Sequence, residues 1–200
     1  MEDLSPRERR QARTREEILA AAMSLINEKG PDEFSLRGLA ERVDYSPAGL
    51  YEYFDGKDDI INAVCAEGDL MLRDSLRAVP DTLPTGEYLV ELGLAYIRFA
   101  DQHMEHFKLM FTYERQGPPV PYEELEFDET YRLLLDAVQA GIDAGKISTG
   151  PSYGLAEVAL GLWATAHGLA MLKMSNLRHV EYDFETANRA ILERLVRGLT

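Results

Sequence analysis

The stretch Tyr45-Ser46-Pro47-Ala48-Gly49-Leu50-Tyr51-Glu52-Tyr53-Phe54-Asp55-Gly56-Lys57 decides how this chain folds. Ser46-Pro47 is a helix start. The serine oxygen can accept from a first-turn N–H, and proline at the first helical position gives up a donor that has no partner there anyway. Asp55-Gly56 stops the segment. Upstream, Ser35 can cap a second short helix that carries Leu36, Leu39, Ala40 and Val43 inward. Asp44-Tyr45 joins the two, since aspartate tolerates the left-handed backbone a tight turn needs. Two short helices with a three- to four-residue turn between residues 35 and 54 make a helix-turn-helix. Leu36, Leu39, Ala40, Val43, Leu50 and Phe54 can form a small core, which leaves Ser46, Pro47, Ala48, Gly49, Tyr51 and Tyr53 outside. Small residues at the front let a helix N-terminus enter the DNA major groove. Its backbone N–H groups and dipole favour a phosphate there. The tyrosine hydroxyls and Lys57 can donate to phosphate oxygens, which fixes register without reading sequence.

Outward from this unit, the periodicity is helical throughout, with no convincing alternation of the strand type. Ser5-Pro6-Arg7-Glu8 reads as a capping box. Ile18, Ala21, Ala22, Leu25 and Ile26 form the inner face of a helix that ends at Gly30-Pro31. A long helix is expected from about Lys57 to Val79. Others follow at 86–102, 103–114, 122–144, 152–177 and 183–199, separated by Pro80, Pro84, Gly117-Pro118-Pro119 and Gly150-Pro151. The fold class is therefore all-α with about nine helices, divided into residues 1–60 and 61–200.

Composition narrows the function. The apolar fraction of 46% can fill a real core. The charged N-terminus is not a secretory signal. The longest apolar stretch, Val158 to Leu172, reads as a buried helix rather than a membrane span. The lone Cys65 suits a reducing cytoplasm. The net charge of −14 argues against nucleic acid at first sight, but DNA sees only the face it touches. Residues 7–15 concentrate Arg7, Arg9, Arg10, Arg13 and Arg15 against one acid, Glu8. There is no nucleophile–base set, glycine-rich phosphate loop or HExxH motif, so catalysis is not expected. His103 and His106 stand at i, i+3, but no third ligand is evident, so neither a metal nor a cofactor is expected.

The run from Tyr45 to Ile60, with Ser35-Leu36-Arg37-Gly38-Leu39-Ala40-Glu41-Arg42-Val43 before it, resembles the TetR (tetracycline-repressor-type) family signature. The specific part is Leu50-Tyr51-x-Tyr53-Phe54-x-x-Lys57 in register, and the likeness covers about residues 12–62. The resemblance implies that Ser35, Tyr51, Tyr53 and Lys57 contact phosphate, while Arg37, Ser46, Pro47, Ala48 and Gly49 lie at the DNA-facing tip. It also implies that the arginines of 7–15 extend the DNA-reading unit. Asp44 replaces the usual turn glycine. Glu52 is open to three readings: it points away from phosphate, accepts from a cytosine amino group, or pairs with an arginine.

Leu160-Gly161-Leu162-Trp163-Ala164-Thr165-Ala166-His167-Gly168-Leu169-Ala170 resembles a Trp…His-Gly segment in one branch of the family's C-terminal domains. Phe99, His103, Phe107, Met110 and Phe111, and Trp163, His167 and Met171, recur at helical spacing. Such stripes suit either core or a small-molecule pocket. By resemblance, the body binds an inducer and the last two helices, with Leu192, Leu195, Val196 and Leu199, pair with a symmetry mate. A two-fold dimer would set two recognition helices on a palindromic double-stranded operator. The expected function is a cytoplasmic, ligand-responsive regulator, most often a repressor, released by a small hydrophobic or amphipathic inducer. The alternative is a ligand-binding or interaction module that has lost DNA binding.

Overall fold

A computed structural model describes residues 5–113 and 129–199. The described residues form nine α-helices: α1 Pro6–Lys29, α2 Leu36–Arg42, α3 Pro47–Leu50, α4 Lys57–Arg77, α5 Thr85–Gln102, α6 Met104–Thr112, α7 Glu129–Asp143, α8 Leu155–Met174 and α9 Phe184–Arg197. No strand occurs among them, only an isolated bridge between Gly150 and Tyr153. The Gly117-Pro118-Pro119 break and the first turns of the helix expected from 122 lie outside the described residues.

The chain divides into two compact units. One runs to Asp69 and resumes at Glu105, while the other takes in Leu70–Met104 and the C-terminal helices. The expected boundary at residue 60 falls inside α4.

The first unit is fixed by its helix ends. Glu8 N–H donates to Ser5 Oγ and Ser5 N–H donates to Glu8, closing the capping box. Gly30 ends α1 at φ +82°, a conformation side chains resist. Asp44 takes φ +57° at the turn after α2. Ile18, Leu19, Ala22, Leu25 and Ile26 of α1 pack with Leu39, Ala40, Leu50, Phe54, Ile60, Ile61, Val64 and Cys65, and Leu109 of α6 closes the same core. A Cβ at Gly68 would lie 2.5 Å from Met110 Sδ, so α4 and α6 approach through that glycine. Arg42 ties α2 to α1 by donating to both carboxylate oxygens of Glu28, at 3.0 and 2.7 Å.

In the second unit α5 is buried on most sides, with Leu89, Val90, Leu92, Leu94, Ile97, Phe99 and Ala100 inside, and it packs against α7, α8 and α9. A Cβ at Gly93 would lie 2.9 Å from Leu192 Cδ1, so the glycine lets α9 sit close. Glu91 clamps the same pair: its carboxylate accepts from Arg189 at 2.7 Å and from Arg98 at 3.4 Å. Burial alone would push the Glu91 carboxyl up. The hydrogen bonds and charges of Arg189 and then Arg98 outweigh it and hold the group below the ordinary carboxylate range.

One expectation is corrected. The apolar run Val158–Leu172 predicts a buried helix. Val158, Ala159, Leu162, Ala166, Ala170 and Met174 of α8 are buried, but Leu160 and Leu172 are exposed. Only 28% of its most apolar window is buried, although α8 is long and apolar enough to cross a membrane. A helix apolar all round cannot hide every face against one neighbouring layer.

Candidate DNA-reading surface and ligand cavity

The helix-turn-helix is held by two serine caps. Gly38 N–H donates to Ser35 Oγ at 3.2 Å and Gly49 N–H to Ser46 Oγ at 3.0 Å. Both hydroxyls therefore orient the N-terminal turns that the sequence places toward DNA. At Gly49 a Cβ would meet Ser46 Oγ and Tyr45 Cδ1, each at 3.3 Å, so the glycine keeps this tip narrow.

The second helix is shorter than the sequence suggested. After Leu50 the chain tightens, with Glu52 N–H bonding to Gly49 O and Tyr53 N–H to Leu50 O. The tighter turn rotates Phe54 into the core, where it is 3% exposed, and leaves Tyr51 58% exposed. Tyr53 is half-buried and packs on the first unit's core, its ring edge-on to Tyr45 at 6.3 Å. Burial is the main cause that raises its phenol above the ordinary value. The two tyrosines that the sequence treats alike thus differ: one is solvated, the other anchored.

Ser46, Pro47 and Ala48 are exposed on the same tip. Arg37 is exposed and pairs with Glu41 one turn along at 3.1 Å. Lys57 Nζ donates to the Asp32 carbonyl at 2.9 Å. Glu52 is exposed, and no arginine pairs with it among the described residues. The arginines of 7–15 stand on α1 as a continuation of its helix. Arg13 pairs with Glu17 at 3.1 Å and the Arg15 guanidinium lies 4.8 Å from the Phe54 ring centre.

The residues expected to bind ligand fall in separate places. Phe107, Met110 and Phe111 belong to the first unit, with the two phenyl rings 4.7 Å apart and Met110 against the core that also holds Leu109. Phe99 and His103 belong to the second, their rings 5.1 Å apart at the end of α5. Trp163 and His167 meet on α8 around a residue the sequence did not single out. Trp163 Nε1–H donates to Tyr96 Oη at 3.2 Å, and Tyr96 Oη lies 2.9 Å from His167 Nδ1. Indole only donates, so the hydroxyl accepts from it; where the imidazole is neutral and unprotonated at Nδ1, the hydroxyl can donate its own proton there. Burial lowers the His167 pKa and favours that neutral form. Tyr131 covers the indole at 5.4 Å between ring centres. Met171 is half-buried one turn beyond His167.

A cavity of about 450 Å3 opens elsewhere in the second unit, lined by Ser75, Ala78, Val79, Leu83, Glu87 and Phe99 among others. Of the expected ligand residues it includes Phe99 alone. A signal for it exists in the sequence: Glu87, Glu91, Arg98 and Gln102 recur at helical spacing and cut a polar stripe through an otherwise apolar α5.

A two-unit helical chain with a capped helix-turn-helix and a separate helical body is the architecture of a DNA-binding regulator. Comparison makes the class definite. A family model described as bacterial regulatory proteins, tetR family, matches residues 18–64, and one described as tetracyclin repressor-like, C-terminal domain, matches residues 89–199. The chain belongs to the TetR family. A protein of unknown function from Rhodococcus sp. RHA1 is 26% identical, with a TM-score of 0.76, and the match covers 92% of this chain and 94% of that one. The TetR family transcriptional regulator PfmR from Thermus thermophilus is 19% identical with a TM-score of 0.65, covering 92% and 98%. A TetR variant from Acinetobacter baumannii AYE in complex with minocycline is 18% identical with a TM-score of 0.60, covering 90% and 93%. No curated protein sequence matches the chain.

Proposed function

We propose that this TetR-family regulator is a homodimeric repressor that binds a palindromic operator and is released by a small hydrophobic or amphipathic inducer. The observation that carries the DNA half is the exposed tip formed by Ser46, Pro47, Ala48 and Tyr51, flanked by Ser35, Arg37 and Lys57. Side chains on this tip offer few base-reading donors, so contact with thymine methyls, Arg37 and DNA shape would carry specificity. Support for the dimer comes from α8 and α9. Leu160, Leu172 and Ile191 are exposed, and nothing lies within 4 Å of a Cβ built at Gly168. Exposed apolar side chains towards the two ends of α8 and on α9 fit a partner interface. Support for the ligand comes from the fold shared with a neighbour crystallised with minocycline and from the aromatic residues of α5 and α8. Binding would favour a state whose two recognition helices no longer fit successive grooves.

Selection of random duplex DNA on the purified full chain tests the reading. Enrichment of a two-fold-symmetric site with half-sites about one helical turn apart is expected. A second reading, loss of DNA binding with retention of ligand binding, is favoured by Glu52, exposed on the recognition segment with no ion pair among the described residues. Failure to enrich any sequence, alongside a ligand that raises thermal stability, would select it.

A further inference from the structure

We propose that the groove between the C-terminal end of α4, the following loop and α5 is a binding site for an amphipathic monocation. This inference rests on the reading of the protein as ligand-responsive and names where one ligand sits and what chemistry it has. The groove holds about 450 Å3, within the range of small-molecule sites. Its floor is apolar: Val79, Leu83, Ala95 and Phe99. Its charged lining is Glu87, Glu91 and Arg98.

Those three groups are not equivalent. Both oxygens of Glu91 are used by Arg189 and Arg98, and Arg98 is shared with Glu185 at 3.3 Å. In this network two guanidinium charges are matched by two carboxylates, so it offers an incoming ligand no spare charge. Glu87, one turn before Glu91 on α5, has no ion pair among the described residues. Among the lining charges it is the one without an ion-pair partner among the described residues, its only local compensation being the N-terminal dipole of α5, in whose first turn it stands. The last turn of α4 reaches the groove through Ser75, and Ala78 follows just beyond its end; a helix C-terminus presents partial negative charge. An anion would meet Glu87 and that dipole end together. A neutral alkyl ligand would use the floor and leave the carboxylate idle. A cation with an apolar tail satisfies both, with the tail over Ala95 and Phe99 and the ammonium at Glu87. The acidic protein as a whole, at −14, draws such a ligand in.

The test uses the full chain and three probes of equal tail length below their micellar concentrations: decyltrimethylammonium, decanol and decanoate, followed by isothermal titration calorimetry. The cation is expected to bind and the carboxylate not. Glu87→Gln keeps the shape and removes the charge, so it should weaken the cation roughly three- to fivefold, the scale of a solvent-accessible ion pair, and leave decanol unchanged. Ala78→Phe, at an exposed lining position, should fill the groove and remove binding of all probes while thermal stability holds. Equal binding of decanoate, or a cation affinity indifferent to both substitutions, overturns the proposal. DNA selection on the same preparation keeps the two readings apart. A protein that selects an operator but ignores the cation sinks only the groove. One that binds the cation at Glu87 and selects no DNA sinks only the repressor.

Discussion

Replacing Lys57 with alanine separates two things its ammonium can do. Its Nζ donates to the Asp32 carbonyl at 2.9 Å and so ties the turn after α1 to the first residue of α4. An ammonium carries three donors, which leaves two for a DNA phosphate while the full charge remains. If Lys57 contacts phosphate, a two-fold dimer loses two phosphate contacts in the variant. Each contact contributes about 0.9 to the slope of log affinity against log salt concentration, so that slope should become shallower by about 1.8. The loss should be similar for operator and unrelated DNA, because a phosphate contact carries no sequence information. Fluorescence anisotropy with a selected operator over a salt series measures it, with a thermal melt to verify folding. Lys57→Arg should restore the slope. A variant whose affinity falls while its slope matches wild type would refute the reasoning: Lys57 would then serve only to hold the Asp32 carbonyl.

Tyr96→Phe removes the hydroxyl shared by Trp163 and His167, and two polar groups lose a partner in a half-buried site. The cost should be about 1–2 kcal/mol, read by chemical denaturation; no change would mean that water replaces the hydroxyl. His167 gives a pH signature. Burial lowers its folded pKa below the ordinary 6.5, so the unfolded chain takes up a proton near that pH and the folded chain only lower. Stability is therefore retained above about 6.5 and lost as pH falls from there through the folded value. The difference between wild type and His167→Gln should carry this loss, and a difference flat from about pH 7.5 to about 5 would exclude it. Gly141→Ala places a Cβ 2.5 Å from Ile147 Cδ1 and 2.9 Å from Thr85 Cγ2. The overpacking exceeds the gain in helix propensity, for a net loss of about 1–2 kcal/mol; a stabilised variant would show that Ile147 moves freely. Leu160→Glu with Leu172→Glu should sediment as a folded monomer and bind DNA much more weakly, and a dimer that persists would place the interface elsewhere.

The parts of this molecule that sequence exposes are those set by neighbours in the chain. Ser5, Ser35 and Ser46 cap helices because a hydroxyl three residues before an N–H reaches it whatever the rest of the fold does. The turn at Asp44 and the stop at Gly30 are equally local. Within the same unit, the difference between Tyr51 and Tyr53 escaped, because it depends on a tightening after Leu50 that lets Phe54 reach the core. In the body the failure has another cause. Phe99, His103, Phe107 and Phe111 share a helical period, but α5 ends at Gln102 and α6 starts a new axis at Met104. The stripe is broken where a single-helix count assumed continuity, and its two halves join different units. Tyr96 went unseen because its partners lie far along the chain, at separations of 71 and 67 residues.

The same contrast explains what α8 says. From the chain alone, an apolar run such as Val158–Leu172 has only two sinks, a core or a membrane, and the core is the better reading for its length. In the folded unit, one side of α8 is already occupied by α5 and α7, and the turns that carry Leu160 and Leu172 stay in water. A helix with polar residues on that side would have served a monomer equally well. That it carries leucine there, with glycine at 168 leaving open space, is the pattern expected of a surface that meets an equally apolar helix. An isologous interface needs one self-complementary patch, and a stripe with leucine at 160 and 172 and small residues at 164 and 168 between them could serve as one. On the proposed dimer, the apolarity that made α8 look buried would be information about the assembly, and the double substitution Leu160→Glu with Leu172→Glu asks whether a second copy is what buries it.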